Sequence, residues 1–372
     1  MNLVKIIHTS DLHLGASFRN FKDNAKQHTN NLRQALRATI QDHLNNDAQL
    51  MIIAGDLFDS PQPTQQTIDF VIATFEMTDK PIVILPGNHD YYYDKSVYHR
   101  TQFPAHVFVF DDTKTSYEFK ELDLTVHANT TTSKDSKKSP LSDLRPNEST
   151  KWNVAVAHGN LEMPNIDNPT RAIRMDDIQD SEMNYVALGD WHSLRDCSAK
   201  SVKAYYCGSP EPTSIDHQKS GYFIKVELKE SDINIKPIKI GAIENKHIEV
   251  QIIGKTQQSI IDEINQYAND KMILKVRLQG DQSLETLLDT DLIVRNCSSN
   301  FYCFKLDDKT ITHDFENAFD KIGDYPDGHA ISIFLNLAHE KYKNEIDEGK
   351  KAQIFHAAQH GLALLQGKKL SL

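Results

Sequence analysis

A chain of 372 residues is too long for one ordinary core, and points to about two domains with an appendage. Hydrophobic residues at 39% and charged residues at 25% describe a globular protein, and no apolar run approaches the ~20 residues that a membrane span needs. The formal net charge of −11 argues against a broad nonspecific nucleic-acid surface, although it leaves room for a local basic track.

Met1 to Lys5 run directly into a strand without a signal-peptide layout, so the expected location is cytoplasmic, with no membrane partner. Cys197, Cys207, Cys297 and Cys303 form neither a CxxC pair nor a disulfide-dense pattern, and are expected to be reduced thiols.

The first strand, Leu3 to Ile7, ends in His8-Thr9-Ser10-Asp11-Leu12-His13. Leu32, Leu36, Ile40 and Leu44 recur every fourth residue and predict a helix with one apolar stripe. A second strand, Leu50 to Ala54, closes in Gly55-Asp56-Leu57-Phe58-Asp59, and Ile68, Ile72 and Phe75 mark a second helix. The third strand, Ile82 to Leu85, is a continuous apolar run, as a strand buried on both faces would be; Pro86-Gly87-Asn88-His89-Asp90 follow it. This alternation argues for parallel strands joined by helical crossovers, with polar groups at their carboxyl ends, where open α/β sheets usually place their sites.

From His106 the runs HVFVF, LDLTVHA and WNVAVA predict a second sheet, and Thr130 to Thr150 reads as an exposed loop. WNVAVA ends in His158-Gly159-Asn160, and Tyr185 to Leu188 ends in Gly189-Asp190-Trp191-His192. Gly221 to Leu228 and Ile233 to Ile240 alternate as an antiparallel pair that completes the first domain. Beyond Gly241 a compact α+β module is expected through residue 324, then two amphipathic helices, the first carrying Ile331, Leu335, Ala338 and Tyr342 and the second Ile354, Ala358, Leu362 and Leu365. The expected domains are thus 1–241, 242–324 and 325–372.

Each strand-end fragment alone is weak, since an aspartate after a strand is usually a cap and a lone histidine is usually structural. Together Asp11, Asp56, Asp190, Asn88, His13, His158 and His192 supply three carboxylates, one amide oxygen and three imidazoles. That mixture suits two divalent ions of Mn, Fe or Zn character.

The ordered set DxH, GDxxD, GNHD, an isolated His and a GxxH variant resembles the calcineurin-like metallophosphoesterases. SDLHLG, GDLFD and LPGNHD are similar to the SbcD-type DNA-repair exonuclease branch, as is Gly208-Ser209-Pro210-Glu211-Pro212 after the last motif. The resemblance covers about the first 210 residues. It implies an α/β fold: a two-sheet sandwich flanked by helices, with a small α+β cap and a C-terminal helical segment that docks an SMC-like ATPase of the SbcC type. It also implies that Asp11, His13, Asp56 and His192 hold one ion, that Asp56, Asn88, His158 and Asp190 hold the other, and that Asp56 bridges them. One departure stands out, because the branch reads GHxH where this chain reads Gly189-Asp190-Trp191-His192.

The expected activity is metal-dependent hydrolysis of DNA phosphodiester bonds, as the exo- or endonuclease subunit of an SbcCD-like complex, with two ions, Mn²⁺ foremost. His89 is the candidate acid or phosphate contact, with Asp90 orienting its ring or raising its pKa. The alternatives are a phosphoesterase for a small nucleotide or a phosphoprotein, and a non-catalytic scaffold; a homodimer stays open.

Overall fold

The computed structural model describes residues 3–162, 170–230, 232–283, 288–313 and 318–366. The chain divides into two compact units: Met1–Lys246 with Asp270–Ile273, and His247–Asn269 with Leu274–Leu372.

The first unit is a two-sheet α/β sandwich. Its first sheet centres on strands β1 (Val4–Thr9), β2 (Leu50–Ala54), β3 (Ile82–Leu85) and β4 (Val107–Val109), which pair in parallel in that order. On the far side of β1, β11 (Tyr222–Lys229) and β12 (Asp232–Lys239) add an antiparallel hairpin, with Tyr222 opposite Lys239. The second sheet is ordered β5 (Ser116–Phe119), β6 (Leu124–Ala128), β7 (Trp152–His158), β8 (Tyr185–Gly189), β10 (Lys203–Tyr206) and β9 (Arg195–Asp196); β6, β7, β8 and β10 run parallel.

Ile6, Ile52 and Val83 from the first sheet meet Val126, Val154 and Val156 from the second in one buried cluster. Alternate residues Ile7, Met51 and Ile53 are also fully buried, as a strand covered on both faces requires. Each such side chain contributes roughly 1.5–3 kcal/mol on burial. That rigid support is what lets the strand ends hold polar groups in fixed positions.

The helix Ala25–Ala38 widens into a π-helical turn over Thr39–Leu44, where the Thr39 hydroxyl donates to Ala35 O (2.8 Å). Leu32, Leu36, Ile40 and Leu44 are all buried, so the period-four stripe survives the change of pitch. The helix Gln65–Phe75 starts at Thr64, whose hydroxyl caps Thr67 N. Residues 130–150 differ from an exposed loop in one respect. Leu141 and Leu144 are buried beneath the second sheet with Ala155, Val186 and Leu188, and Asn129 Nδ2 donates to Pro140 O and Ser142 O.

The second unit carries the helices Gln257–Asn265 and Thr290–Cys297 and most of a sheet ordered β13 (Glu244–Gln251), β14 (Asn269–Ser283) and β15 (Phe301–His313). Its last two helices, Ala330–Asn344 and Glu348–Leu365, close on each other and on Phe319 through Ile331, Leu335, Ala358 and Leu362. Leu365, expected within the apolar stripe, is 46% exposed. All four cysteines are buried thiols. Among the described residues no helix is long and apolar enough to cross a membrane.

Candidate metal centre

The strand-end residues converge because β1, β2 and β3 are parallel neighbours, and β7 and β8 likewise, so their carboxyl ends gather at common edges. The turns that follow are strained. Asp11 (φ 53°), His13 (φ 45°), Asp56 (φ 52°) and Asp190 (φ 94°) all occupy the left-handed region, a conformation costing a non-glycine residue of order 1–3 kcal/mol. Backbone bonds hold two of these turns together: Asp11 N donates to Gly55 O (3.1 Å) and His13 N to Asp56 O (2.9 Å). Packing is equally restrictive, since a Cβ at Gly87 would lie 2.0 Å from Asp56 Oδ1.

Beside the group of His13, Asp59 and His89, two sets of donors share this space. Ligand atoms of Asp11, His13 and His192 lie within 4.8 Å of one another, and so do those of Asp11, Asp56 and His158. A single oxygen, Asp56 Oδ2, stands 3.6 Å from His13 Nε2 and 3.5 Å from His158 Nε2, between the two sets. His13 Nε2 and His192 Nε2 face each other at 3.1 Å, and His158 Nε2 faces Asn88 Oδ1 at 2.8 Å.

The ring of His158 is held from behind, where Nδ1 donates to Ala54 O (2.9 Å). Held this way, the neutral form of the ring would keep its lone pair on Nε2, the arrangement that orients a metal-ligating histidine. Burial favours neutral His158, but Asp56, Asp190 and Asp11 outweigh it and raise its pKa. Burial likewise raises Asp11, whereas at Asp56 the neighbouring histidines overcome burial and lower the carboxyl pKa. Buried carboxylates drawing protons onto buried imidazoles is what a cation cluster would replace. The donor set therefore fits divalent ions, with Asp11, His13 and His192 in one group and Asp11, Asp56 and His158 in the other.

Asp90 has a different place from the one expected. Its carboxylate accepts from Phe58 N (2.9 Å), Gly87 N (2.7 Å) and the Tyr98 hydroxyl (2.6 Å), so it braces the turns after β2 and β3. It is buried, accepts three hydrogen bonds, and among the described residues makes no contact with the His89 ring. That task falls to Asp59, the second aspartate of Gly55-Asp56-Leu57-Phe58-Asp59, whose Oδ1 lies 3.5 Å from His89 Nδ1 and 3.3 Å from His13 Nδ1. The Asp59 contact, partly opposed by burial and reinforced by Asp56, raises His89 to about 9. Its side chain is 41% exposed and borders a cleft of about 350 Å³ that His13, Phe18, Arg19, Asp59, His192 and His217 also line.

Asp190 takes part through both backbone and side chain. Its N–H donates to Asp11 Oδ1 (3.1 Å) and Oδ2 (3.3 Å), Oδ1 lies 3.6 Å from His158 Nε2, and Oδ2 accepts from Asn160 Nδ2. Ser209, from the segment after the last motif, donates to Asp11 O (2.7 Å). Thr213 and His217 stand behind His192 Nδ1, each at 3.2 Å. Asp59 was legible as the last residue of the GDxxD motif. Thr213, His217 and Arg171 carry no spacing signal, because they reach the site from loops.

Residues 4–200 match the family model described as "Calcineurin-like phosphoesterase". The chain is similar to a subunit of the nuclease SbcCD from Staphylococcus epidermidis, 33% identical over 91 residues, which is 23% of this chain and 23% of that relative. It is also similar to the "DNA double-strand break repair protein Mre11" of Saccharolobus solfataricus, 24% identical over 334 residues, 84% of each chain. Among solved structures, a conserved Streptococcus pneumoniae protein assigned to the phosphoesterases is 14% identical, with a TM-score of 0.32 over 64% of this chain and 91% of that one.

Proposed function

Because the chain belongs to the calcineurin-like phosphoesterase family of metal-dependent hydrolases, we propose that it is a two-metal phosphodiesterase that cuts DNA. The observation carrying the two-metal reading is Asp56 Oδ2, which stands within 3.6 Å of His13 Nε2 and 3.5 Å of His158 Nε2 and so faces both donor sets. The choice of DNA is supported by the similarity to Mre11, which runs over 84% of both chains and thus extends past the catalytic unit. Residues 242–324 would then serve as a DNA-facing cap and residues 325–372 as a partner-docking segment, the partner being an SMC-like ATPase.

Asp11, His13, Asp56 and His192 would hold one ion, and Asp56, Asn88, His158 and Asp190 the other. When bound, the ions supply a hydroxide of lowered pKa and positive charge opposite the phosphoryl oxygens. The carboxylates favour Mn²⁺ as the physiological ion. The remaining chemistry belongs to the chain. His89 Nδ1 faces Asp59 Oδ1 at 3.5 Å and Asp59 O at 3.3 Å, which leaves Nε2 to donate a proton to the departing oxygen. In the protein without metal, Asp59 raises the pKa of that ring and favours its protonated form.

The test is purified protein with Mn²⁺ against end-labelled single-stranded and double-stranded DNA, beside a generic phosphodiester ester. Cleavage of DNA supports the reading. Turnover of the ester with neither DNA cut points to a small substrate, and no turnover despite two bound ions points to a scaffold.

A further inference from the structure

Asp190 brings a negative charge to a cluster that already holds Asp11, Asp56 and Asp59, and the fold answers it with a buried cation. Arg171 is only 5% exposed, and its Nη2 lies 3.5 Å from Asp190 Oδ1. Asp190 is the one carboxylate paired with it among the described residues. Its other guanidinium contact is neutral, Nη1 donating to Lys134 O, while Nε has no hydrogen-bond partner among the described residues.

The backbone delivers the side chain at a cost. Arg171 sits at φ 48°, its N–H donates to Ser136 O (2.8 Å), and its carbonyl lies so near β7 that a Cβ at Gly159 would stand 2.2 Å from it. The two segments are laced together, Ile173 N to Asn160 O and Glu162 N to Ile173 O, both 2.8 Å. One edge therefore carries both Arg171 and Asn160, which grip the two oxygens of Asp190.

We propose that Arg171, Asn160 and Asp190 act as one charge-balanced unit in the place of a neutral ligand: the guanidinium offsets the carboxylate and Asn160 fixes its orientation. Arg171 is a positioning residue here, since it acts through Asp190. The proposal rests on the two-metal reading above for its metal arm. A buried ion pair tolerates loss of both partners better than loss of one, because a single deletion strands the other charge.

The test is a double-mutant cycle on the full chain with two readouts: melting of the metal-free protein, and Mn²⁺ binding by calorimetry. Arg171→Met and Asp190→His should each lower the metal-free Tm by about 3 °C or more. The double variant should lose clearly less than their sum, and Arg171→Lys should recover most of the loss. For Mn²⁺, Asp190→His alone should weaken one of two sites by about tenfold or more, since it leaves a bare guanidinium beside the ion. Adding Arg171→Met should restore that site to within about threefold. Additive melting losses, or an Arg171→Met variant indistinguishable from wild type, would overturn the proposal. Wild type that binds no Mn²⁺ would defeat the two-metal reading instead, and the metal-free melting cycle would still decide whether the three residues form a unit.

Discussion

His89 and Asp56 stand one hydrogen bond apart, His89 N donating to Asp56 Oδ1 (2.9 Å), yet their substitutions should behave differently. Asp56→Asn removes the charge that faces both donor sets, so bound metal and hydrolysis should fall together. His89→Asn should keep two ions while turnover drops about 10²- to 10⁴-fold, the usual contribution of a general acid. Loss of an ion in that variant would make His89 a ligand, which the grouping of His13, Asp59 and His89 atoms within 4.8 Å would explain. Asp90→Ala should show yet another pattern. It leaves Phe58 N, Gly87 N and the Tyr98 hydroxyl without their acceptor, so the main effect should be stability, at about 1–3 kcal/mol for each buried group left unsatisfied. A fully stable but inactive Asp90→Ala protein, measured by urea unfolding, would return Asp90 to the chemistry.

Between elements, Glu211 joins the segment after the last motif to the end of the β11–β12 hairpin. Its carboxylate accepts from Ala242 N (2.6 Å) and Ile243 N (3.2 Å) and is 1% exposed. Burial, opposed by those two N–H groups, raises its pKa from 4.5 to about 7. With the folded pKa above the unfolded one, the folded protein holds the proton more tightly between pH 4.5 and 7. The stability contributed is full below pH 4.5 and is lost as pH rises through about 7. Tm should therefore fall from pH 5 to pH 8 by more in wild type than in Glu211→Ala. Equal slopes would show that Glu211 titrates normally.

At the scale of the whole molecule, the terminal helices show why an amphipathic stripe underdetermines its partner. Ile331, Leu335, Ala358 and Leu362 are spent on the cluster around Phe319, whereas Ile333 (50% exposed), Leu337 (59%) and Leu364 (59%) face outward. The outward residues are the ones to challenge, because truncation would uncover Phe319 as well. Ile333→Glu with Leu337→Glu should leave Tm and ester hydrolysis near wild type, exposed substitutions usually costing within about 0.5 kcal/mol, and should abolish co-purification with an SMC-like ATPase. Undiminished co-purification would remove that face from the docking segment.

The sequence by itself determined the two sheets, the helical crossovers and seven candidate ligands, because strand periodicity is local and each motif lies at the carboxyl end of an apolar run. The helix through Leu44 and the β11–β12 hairpin were legible for the same reason. Only the tertiary structure decided which carboxylate serves which imidazole. Asp90 is the neighbour of His89 in the chain, but the left-handed turn at Asp56 brings Asp59 to its ring, while Asp90 turns back to bind Phe58 N and Gly87 N. Leu141 and Leu144 lie buried in a stretch whose composition reads as exposed, since two leucines without a period give no signal until a sheet covers them. Arg171 is the extreme case: nothing in its sequence neighbourhood marks it, and its meaning comes from a contact with Asp190 that loop closure alone creates.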